Sequence, residues 1–362
     1  MFVVNILILT GSFGMGHNSA AKAIEEMIGS EFGRSNVFVE DLFSNTFNST
    51  KYNLPFQLMV KRGKFLYNFV YKHTQDSEKR VTLPFHRHMA KRLAALVKKT
   101  NADIIISTLW SCSKLVSEYK NTAKSDIPLI TCITDISSHS EWLYSNTDYY
   151  MTATPETKTE LINKGVDPQR IIISGIPVRS QFRTEIAPRE LIPEKRLLIM
   201  GGGLGLLPKS KTFYDELEKL PGVKTTIITG NNVALYNSLN GLYRNVEVLP
   251  FVNDVPTHMK NADLLISKPG GITLFEAMSA ELPLLMFTPF LQQEKRNGEF
   301  VLENRFGDVL PVEPKEWAKK IQEVLDQDEQ RNTYKANMHK FKSLLDESAL
   351  LRLLSEYERK SA

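Results

Sequence analysis

Cysteine is almost missing from this chain: Cys112 and Cys132 are the only two in 362 residues. Two thiols so far apart make neither a disulfide framework nor a zinc ligand pattern, and reduced thiols in a cytoplasmic protein are the expectation. Long apolar runs are also missing, and none approaches the ~20 residues needed to cross a bilayer. The opening Met1-Phe2-Val3-Val4-Asn5-Ile6-Leu7-Ile8-Leu9-Thr10 lacks a basic leader and runs into a glycine loop, so it reads as a first strand and not as a signal peptide. The only Asp-x-Asp, Asp326-Gln327-Asp328, lies in a charged helical stretch, and His73, His86 and His88 have no convincing ligand partners. No metal and no cofactor are expected. Hydrophobic content of 42% with 24% charged residues is that of a folded soluble protein, which excludes general disorder.

Acidic residues are scarce in one block. Residues 51–100 hold twelve Lys/Arg and two acids, a local charge of +10 inside a chain whose total is only +4. Within this block, basic residues such as Lys61, Arg62 and Lys64 alternate with bulky apolar ones, including Phe56 and Phe65. That mixture suits an anionic lipid surface, where each basic group contributes about 1 kcal/mol and aromatic rings enter the headgroup boundary. Nucleic-acid binding is the competing reading of the 51–100 block, but no nucleic-acid motif accompanies it and no nucleic-acid partner is expected. A core helix with a solvated basic face is the plainest alternative.

At this length two domains are expected. β-branched runs alternate with helical patterns from end to end, which is the pattern of parallel sheets. The predicted strands are Phe2–Thr10, Asn36–Glu40, Ala102–Ser107, Ile127–Thr134, Tyr149–Ala153 and Arg170–Ser174. In the second half they are Lys195–Met200, Val223–Thr229, Val246–Leu249, Ala262–Ser267, Leu282–Thr288 and Asp308–Val312. Each half opens with a strand, a glycine loop and a helix, through Gly14, Gly16 and His17 in one and Gly201, Gly202, Gly203 and Gly205 in the other. The expectation is two Rossmann-like doubly wound α/β domains, residues 1–178 and 179–342, facing across a cleft. Ligands of such sheets bind beyond the carboxyl ends of the strands.

The most informative stretch is Ser267-Lys268-Pro269-Gly270-Gly271-Ile272-Thr273-Leu274-Phe275-Glu276-Ala277. A buried strand there enters a glycine turn and then an amphipathic helix whose first N–H groups have no intrahelical partner, a geometry that accepts a diphosphate. An ordinary strand-turn-helix corner has the same form, so other segments must decide.

Those segments exist. Thr10-Gly11-Ser12-Phe13-Gly14-Met15-Gly16-His17-Asn18-Ser19-Ala20-Ala21 resembles the N-terminal signature of the monogalactosyldiacylglycerol synthase and processive diacylglycerol glucosyltransferase family. Asp135, His139 and Trp142 resemble its central Asp-His-Trp segment, and Ser174-Gly175-Ile176-Pro177-Val178-Arg179 its hinge. Phe251-Val252, Lys268–Ala277 and Gln293-Glu294-Lys295-Arg296-Asn297 resemble its donor-site elements. The C-terminal half is also similar to the lipid-linked N-acetylglucosaminyltransferases of peptidoglycan synthesis. The chain departs from the family pattern at Ser137, Tyr144 and Gln292, and in Ser107-Thr108-Leu109-Trp110-Ser111.

The resemblance implies the GT-B type of fold, with a last helix, 343–362, packing back on the first domain. It implies a peripheral enzyme on the inner face of the cell membrane that moves a hexosyl group from a UDP-sugar to a lipid such as diacylglycerol, with inversion and without a metal. A UDP-N-acetylglucosamine-dependent transferase acting on another lipid-linked acceptor is the alternative, and a nucleotide-sugar binder without catalysis is a third. In the implied site Gly202, Gly203, Gly270 and Gly271 serve the diphosphate and Glu276 the ribose, with Gly16, Lys268 and Thr273 as further donor-binding residues. Phe251 and Val252 serve the uracil, with a core phenylalanine as the plain alternative, and Gln293, Glu294 and Asn297 serve the sugar or merely cap the following helix in solvent. His17, at a helix start and with an unperturbed pKa near ~6.5, is the candidate base. Asp135 either orients it or shares its role. His139 and Trp142 either shape the acceptor mouth or merely pack on each other.

Overall fold

The computed structural model describes residues 3–11, 15–33, 35–44, 86–183, 193–289 and 291–361. The chain divides into two compact units: Met1–Ser180 with Leu291–Gln293 and Leu345–Ala362, and Gln181–Phe290 with Glu294–Leu344.

The first unit is built on β1 (Val4–Thr10), β2 (Ser35–Asp41), β3 (Ile104–Ser107), β4 (Leu129–Cys132), β5 (Tyr149–Thr152) and β6 (Ile171–Ile173). All pair in parallel in the order β2-β1-β3-β4-β5-β6. Strand β1 shows why the sheet is covered on both faces. Ile6 and Ile8 point to one side, where they meet Ala21, Ile24 and Ile28 of α1 (Met15–Glu31) and Leu350 and Leu354 of the terminal helix Ala349–Ser361. Leu7 and Leu9 point to the other, against Met89, Leu93 and Leu96 of α2 (His86–Thr100) and Leu115 and Val116 of α3 (Trp110–Ala123). Period-two alternation with both faces apolar is what a buried parallel strand requires. The same alternation parts the cysteines: Cys132 lies in the first of these cores and Cys112 in the second, both fully buried. The terminal helix is tied by its lead-in as well, since Asp346 N donates to Ile173 O at 2.8 Å.

The second unit holds β7 (Lys195–Met200), β8 (Val223–Ile228), β9 (Val246–Leu249), β10 (Leu264–Ser267), β11 (Leu284–Met286) and β12 (Gly307–Val309), again parallel, in the order β12-β11-β10-β7-β8-β9. Leu197 and Ile199 of β7 and Leu264 and Ile266 of β10 share a core with Leu217, Ile321, Val324 and Leu325.

Every strand expected from the alternation is present: β7 and β9 have the expected bounds, β2 is longer by one residue at each end, and most of the others are shorter by one to three residues at one or both ends. After β7, residues 201–205 fold into turns closed by Gly205 N to Gly202 O and Leu206 N to Gly201 O, both 2.9 Å, and the next helix starts at Lys211. Gly202 and Gly205 at φ +68 and +58, followed by Pro208, preclude a helix there.

In each sheet the direction of chain progress reverses once, between β1 and β3 in the first unit and between β7 and β10 in the second. Beyond the carboxyl ends of such strand pairs an open parallel sheet leaves a crevice for ligands.

Candidate active site

At the first of these switch points stands His17. His17 falls in the first turn of α1, level with the ends of β1 and β3. Thr108, one residue beyond β3, holds it twice. Its hydroxyl donates to the His17 backbone oxygen at 3.1 Å, and its carbonyl lies 2.9 Å from His17 Nδ1. The Thr134 hydroxyl lies 2.8 Å from the same nitrogen and 3.3 Å from the Thr108 carbonyl. Thr10 Oγ1 donates to Asn18 Oδ1 at 2.9 Å and pins the same helical turn to β1.

A carbonyl oxygen can only accept, so Nδ1 carries the proton and Nε2 is left as the basic nitrogen of the neutral ring. Burial lowers the His17 pKa from its ordinary value, and the hydrogen bond to the Thr108 carbonyl works against that shift without cancelling it. The ring is therefore neutral at neutral pH. The sequence reading missed both Thr108 and Thr134; the only signal was that each sits where a buried strand ends.

Asp135 follows Thr134 and is 4% exposed, its Oδ1 accepting from Ile136 N at 2.9 Å in a local turn. His139 and Trp142 lie inside. His139 Nδ1 accepts from Glu141 N at 3.2 Å as the cap of a short 3-10 turn, and Trp142 packs with Ile133, Tyr150, Leu161 and Ile171. Both side chains are buried.

In the second unit β10 runs into Lys268 and Pro269, and α8 (Gly271–Ser279) starts at once behind Gly270. A side chain built on Gly270 would meet nothing within 4 Å, so the space over the turn is open. The N–H groups of the first helical turn have no intrahelical acceptor and lie at the positive end of the helix dipole. Thr273 is half-buried in that turn, and Glu276 follows, 8% exposed. Helix α9 (Gln292–Glu303) braces the turn with its first residues. Glu294 pairs with Lys268 Nζ at 2.8 Å, the two side chains 12% and 19% exposed. Asn297 donates from Nδ2 to the Pro269 carbonyl at 2.8 Å and is 1% exposed, while its Oδ1 is buried without a partner. One amide hydrogen of Asn297 is thus committed to the glycine turn. Gln293 is half-buried.

Past β9 the ring of Phe251 is 43% exposed, which removes the core alternative, and Val252 beside it is half-buried. Gly202 and Gly203 lie exposed and half-exposed in the loop after β7, which Asn231 N holds by a 2.9 Å bond to Gly203 O. Gly16 is half-buried in the first turn of α1. Among the described residues no group of three or more His, Cys, Asp and Glu could hold a metal ion, and no helix is long and apolar enough to cross a membrane. Phe56, Lys61, Arg62, Lys64 and Phe65 lie outside the described residues. The described end of the basic block is α2, which has no acidic residue, exposes Arg87, His88, Lys91, Lys98 and Lys99, and buries Met89, Leu93 and Leu96.

Two parallel sheets of this order, each with its polar groups at a switch point, define the GT-B glycosyltransferase fold. The solved MurG of Acinetobacter baumannii superposes with a TM-score of 0.61 at 14% identity, over 98% of this chain and 99% of that one. HepE of Anabaena, solved with UDP-glucose, gives 0.56 at 14% identity over 99% and 100%.

Sequence comparison narrows the class. Residues 17–178 match the monogalactosyldiacylglycerol (MGDG) synthase family, and residues 217–341 match glycosyl transferases group 1. The processive diacylglycerol beta-glucosyltransferase of Bacillus licheniformis is 32% identical over 92% of this chain and 90% of its own. That of Bacillus subtilis is 32% identical over 84% and 85%. The chain belongs to the family of monogalactosyldiacylglycerol synthases and processive diacylglycerol glucosyltransferases.

Proposed function

We propose that this member of a glycolipid-forming glycosyltransferase family moves a hexosyl group from a UDP-sugar to the hydroxyl of a membrane lipid such as diacylglycerol. The observation that carries the reading is the neutral His17 ring, held through Nδ1 with Nε2 basic, at the switch point of the first sheet. Nε2 takes the proton of the acceptor hydroxyl as its oxygen attacks the anomeric carbon, and the bond from that carbon to the diphosphate breaks. UDP leaves carrying the bonding pair. Its charge is met by the unpaired amides of α8, by the loop around Gly202 and Gly203, by Gly16, and by Lys268. Thr273 adds a hydroxyl, Glu276 binds the ribose, and Phe251 and Val252 receive the uracil. Gln293 and Glu294 accept from the sugar hydroxyls once the diphosphate has drawn Lys268 away. Asp135 stands beside Thr134 in support of the base.

A single displacement inverts the anomeric centre, and an α-linked UDP-glucose then gives the β-linked product named for the relatives. Charge stabilisation by amides and a lysine leaves no step that needs a metal. The basic block 51–100 binds anionic lipids and keeps the protein peripheral on the inner face of the membrane. The test is His17→Ala in a transfer assay with UDP-glucose, UDP-galactose and UDP-N-acetylglucosamine over membrane lipids, read by mass spectrometry. Transfer by the native protein and its loss in the variant, with UDP affinity kept, is expected; full activity in the variant overturns the reading.

A further inference from the structure

The groups around His17 Nδ1 differ from what usually orients a catalytic histidine. The third group behind an imidazole base is commonly a carboxylate, which fixes the tautomer and also stabilises the imidazolium. Here Nδ1 meets a carbonyl at 2.9 Å and a hydroxyl at 2.8 Å, both neutral. The two acceptors are joined: Thr134 Oγ1 lies 3.3 Å from the Thr108 carbonyl and can spend its own proton there, which turns a lone pair towards Nδ1–H. Both threonines are buried, at 0% and 6% exposure, so water does not compete for these bonds. Thr108 also ties down the His17 main chain through its hydroxyl. The ring is thereby fixed at its backbone and at one nitrogen.

We propose that Thr134 is a positioning residue for the base: together with the Thr108 carbonyl it forms a neutral two-acceptor clamp that holds His17 in the Nδ1-protonated form. The clamp fixes which nitrogen is basic and where it points, and offers the charged ring no counter-ion, so the proton taken from the acceptor is not retained. A carboxylate in this place would store that proton. A buried threonine with only a packing duty would need neither the hydroxyl nor its place between Nδ1 and the carbonyl.

This inference rests on the reading of His17 as the base, and the experiment separates the two. The first measurement is long-range proton–nitrogen correlation on protein labelled with 15N-histidine, with His17→Ala assigning the signal. It reads the tautomer whether or not the protein turns over. Protonated Nδ1 with unprotonated Nε2 is expected, and the reverse pattern overturns the clamp. The second is steady-state transfer by Thr134→Val and Thr134→Ser. Valine keeps the volume and removes the acceptor, so kcat is expected to fall about tenfold or more with the UDP-sugar KM within about twofold, and the His17 signal to become a mixture of tautomers. Serine is expected to restore both. Unchanged kcat in the valine variant overturns the proposal, as does a loss that serine does not rescue. If the native protein transfers no sugar while Nδ1 is found protonated, the clamp stands as structure and the proposed function falls.

Discussion

Replacing Asn297 by alanine separates two jobs that the sequence could not tell apart, gripping the sugar and bracing the diphosphate turn. The Pro269 carbonyl can only accept, so the amide nitrogen of Asn297 faces it across 2.8 Å. The residue is 1% exposed, and in alanine that carbonyl loses its donor where water reaches poorly. The hydrogen bond is worth about 1 kcal/mol net, and leaving a buried acceptor unmade adds about 1–3 kcal/mol. Removal of the buried, unpartnered Oδ1 offsets part of this sum, so a loss near 2 kcal/mol follows, or roughly 4–8 °C in the melting temperature of a unit of this size. Pro269 precedes the N-terminus of α8, so a slack turn also misaims the unpaired amides, and UDP is expected to bind about 5–10-fold more weakly. Asn297→Asp should be worse than alanine, because it sets a carboxylate oxygen against a carbonyl. Calorimetric titration with UDP, beside thermal melts of both variants, checks this. Native UDP affinity and melting temperature in Asn297→Ala, with only the sugar-dependent part of KM raised, would refute the argument and return Asn297 to the sugar.

The depressed pKa of His17 sets the acid limb of the pH–kcat/KM profile: a base works deprotonated, so the rate holds at neutral pH and falls only as pH drops through a value below ~6.5. A limb at or above that value would contradict the burial argument. Gly205→Ala should cost about 3 kcal/mol or more in urea unfolding, since φ is +58 and the new Cβ would stand 1.8 Å from the Thr229 carbonyl; an unchanged midpoint would sink it. Converting Arg87, Lys91 and Lys98 to glutamate together should reduce binding to anionic vesicles at least tenfold, with little effect at high salt, because each exposed cation contributes about 1 kcal/mol. Equal binding to anionic and zwitterionic vesicles by the native protein would remove the electrostatic basis.

The fold was legible because its grammar is local. The seven residues Val4–Thr10, apolar on both faces and followed by glycine, have few other ways to bury themselves, and shorter apolar runs mark most of the twelve strands. The anion turn was legible for the same reason: strand, Pro-Gly-Gly and helix are contiguous from Leu264 to Ser279. What stayed hidden depends on pairs far apart in the chain. Thr108 and Thr134 meet His17 across 91 and 117 residues, and Asn297 reaches Pro269 across 28. Threonine at the end of a β-strand is commonplace, so nothing in its neighbours marks it as a partner of a histidine. Phe251 was undecided because apolar side chains behind a strand are equally at home in a core; only its 43% exposure separates the two cases.

The two switch points meet opposite electrostatic demands. A base must reach its task uncharged, and His17 is surrounded at Nδ1 by groups that carry no charge, so that burial acts unopposed by a counter-ion. The cation proposed to meet the diphosphate must stay charged. Lys268, 19% exposed, keeps the Glu294 carboxylate at 2.8 Å. Exchanging the arrangements would shift both: a carboxylate behind His17 would raise its pKa, and a neutral partner for Lys268 would leave a largely buried charge without a counter-ion. The difference follows from the role proposed for each group, since the sheets that carry the two groups are built alike.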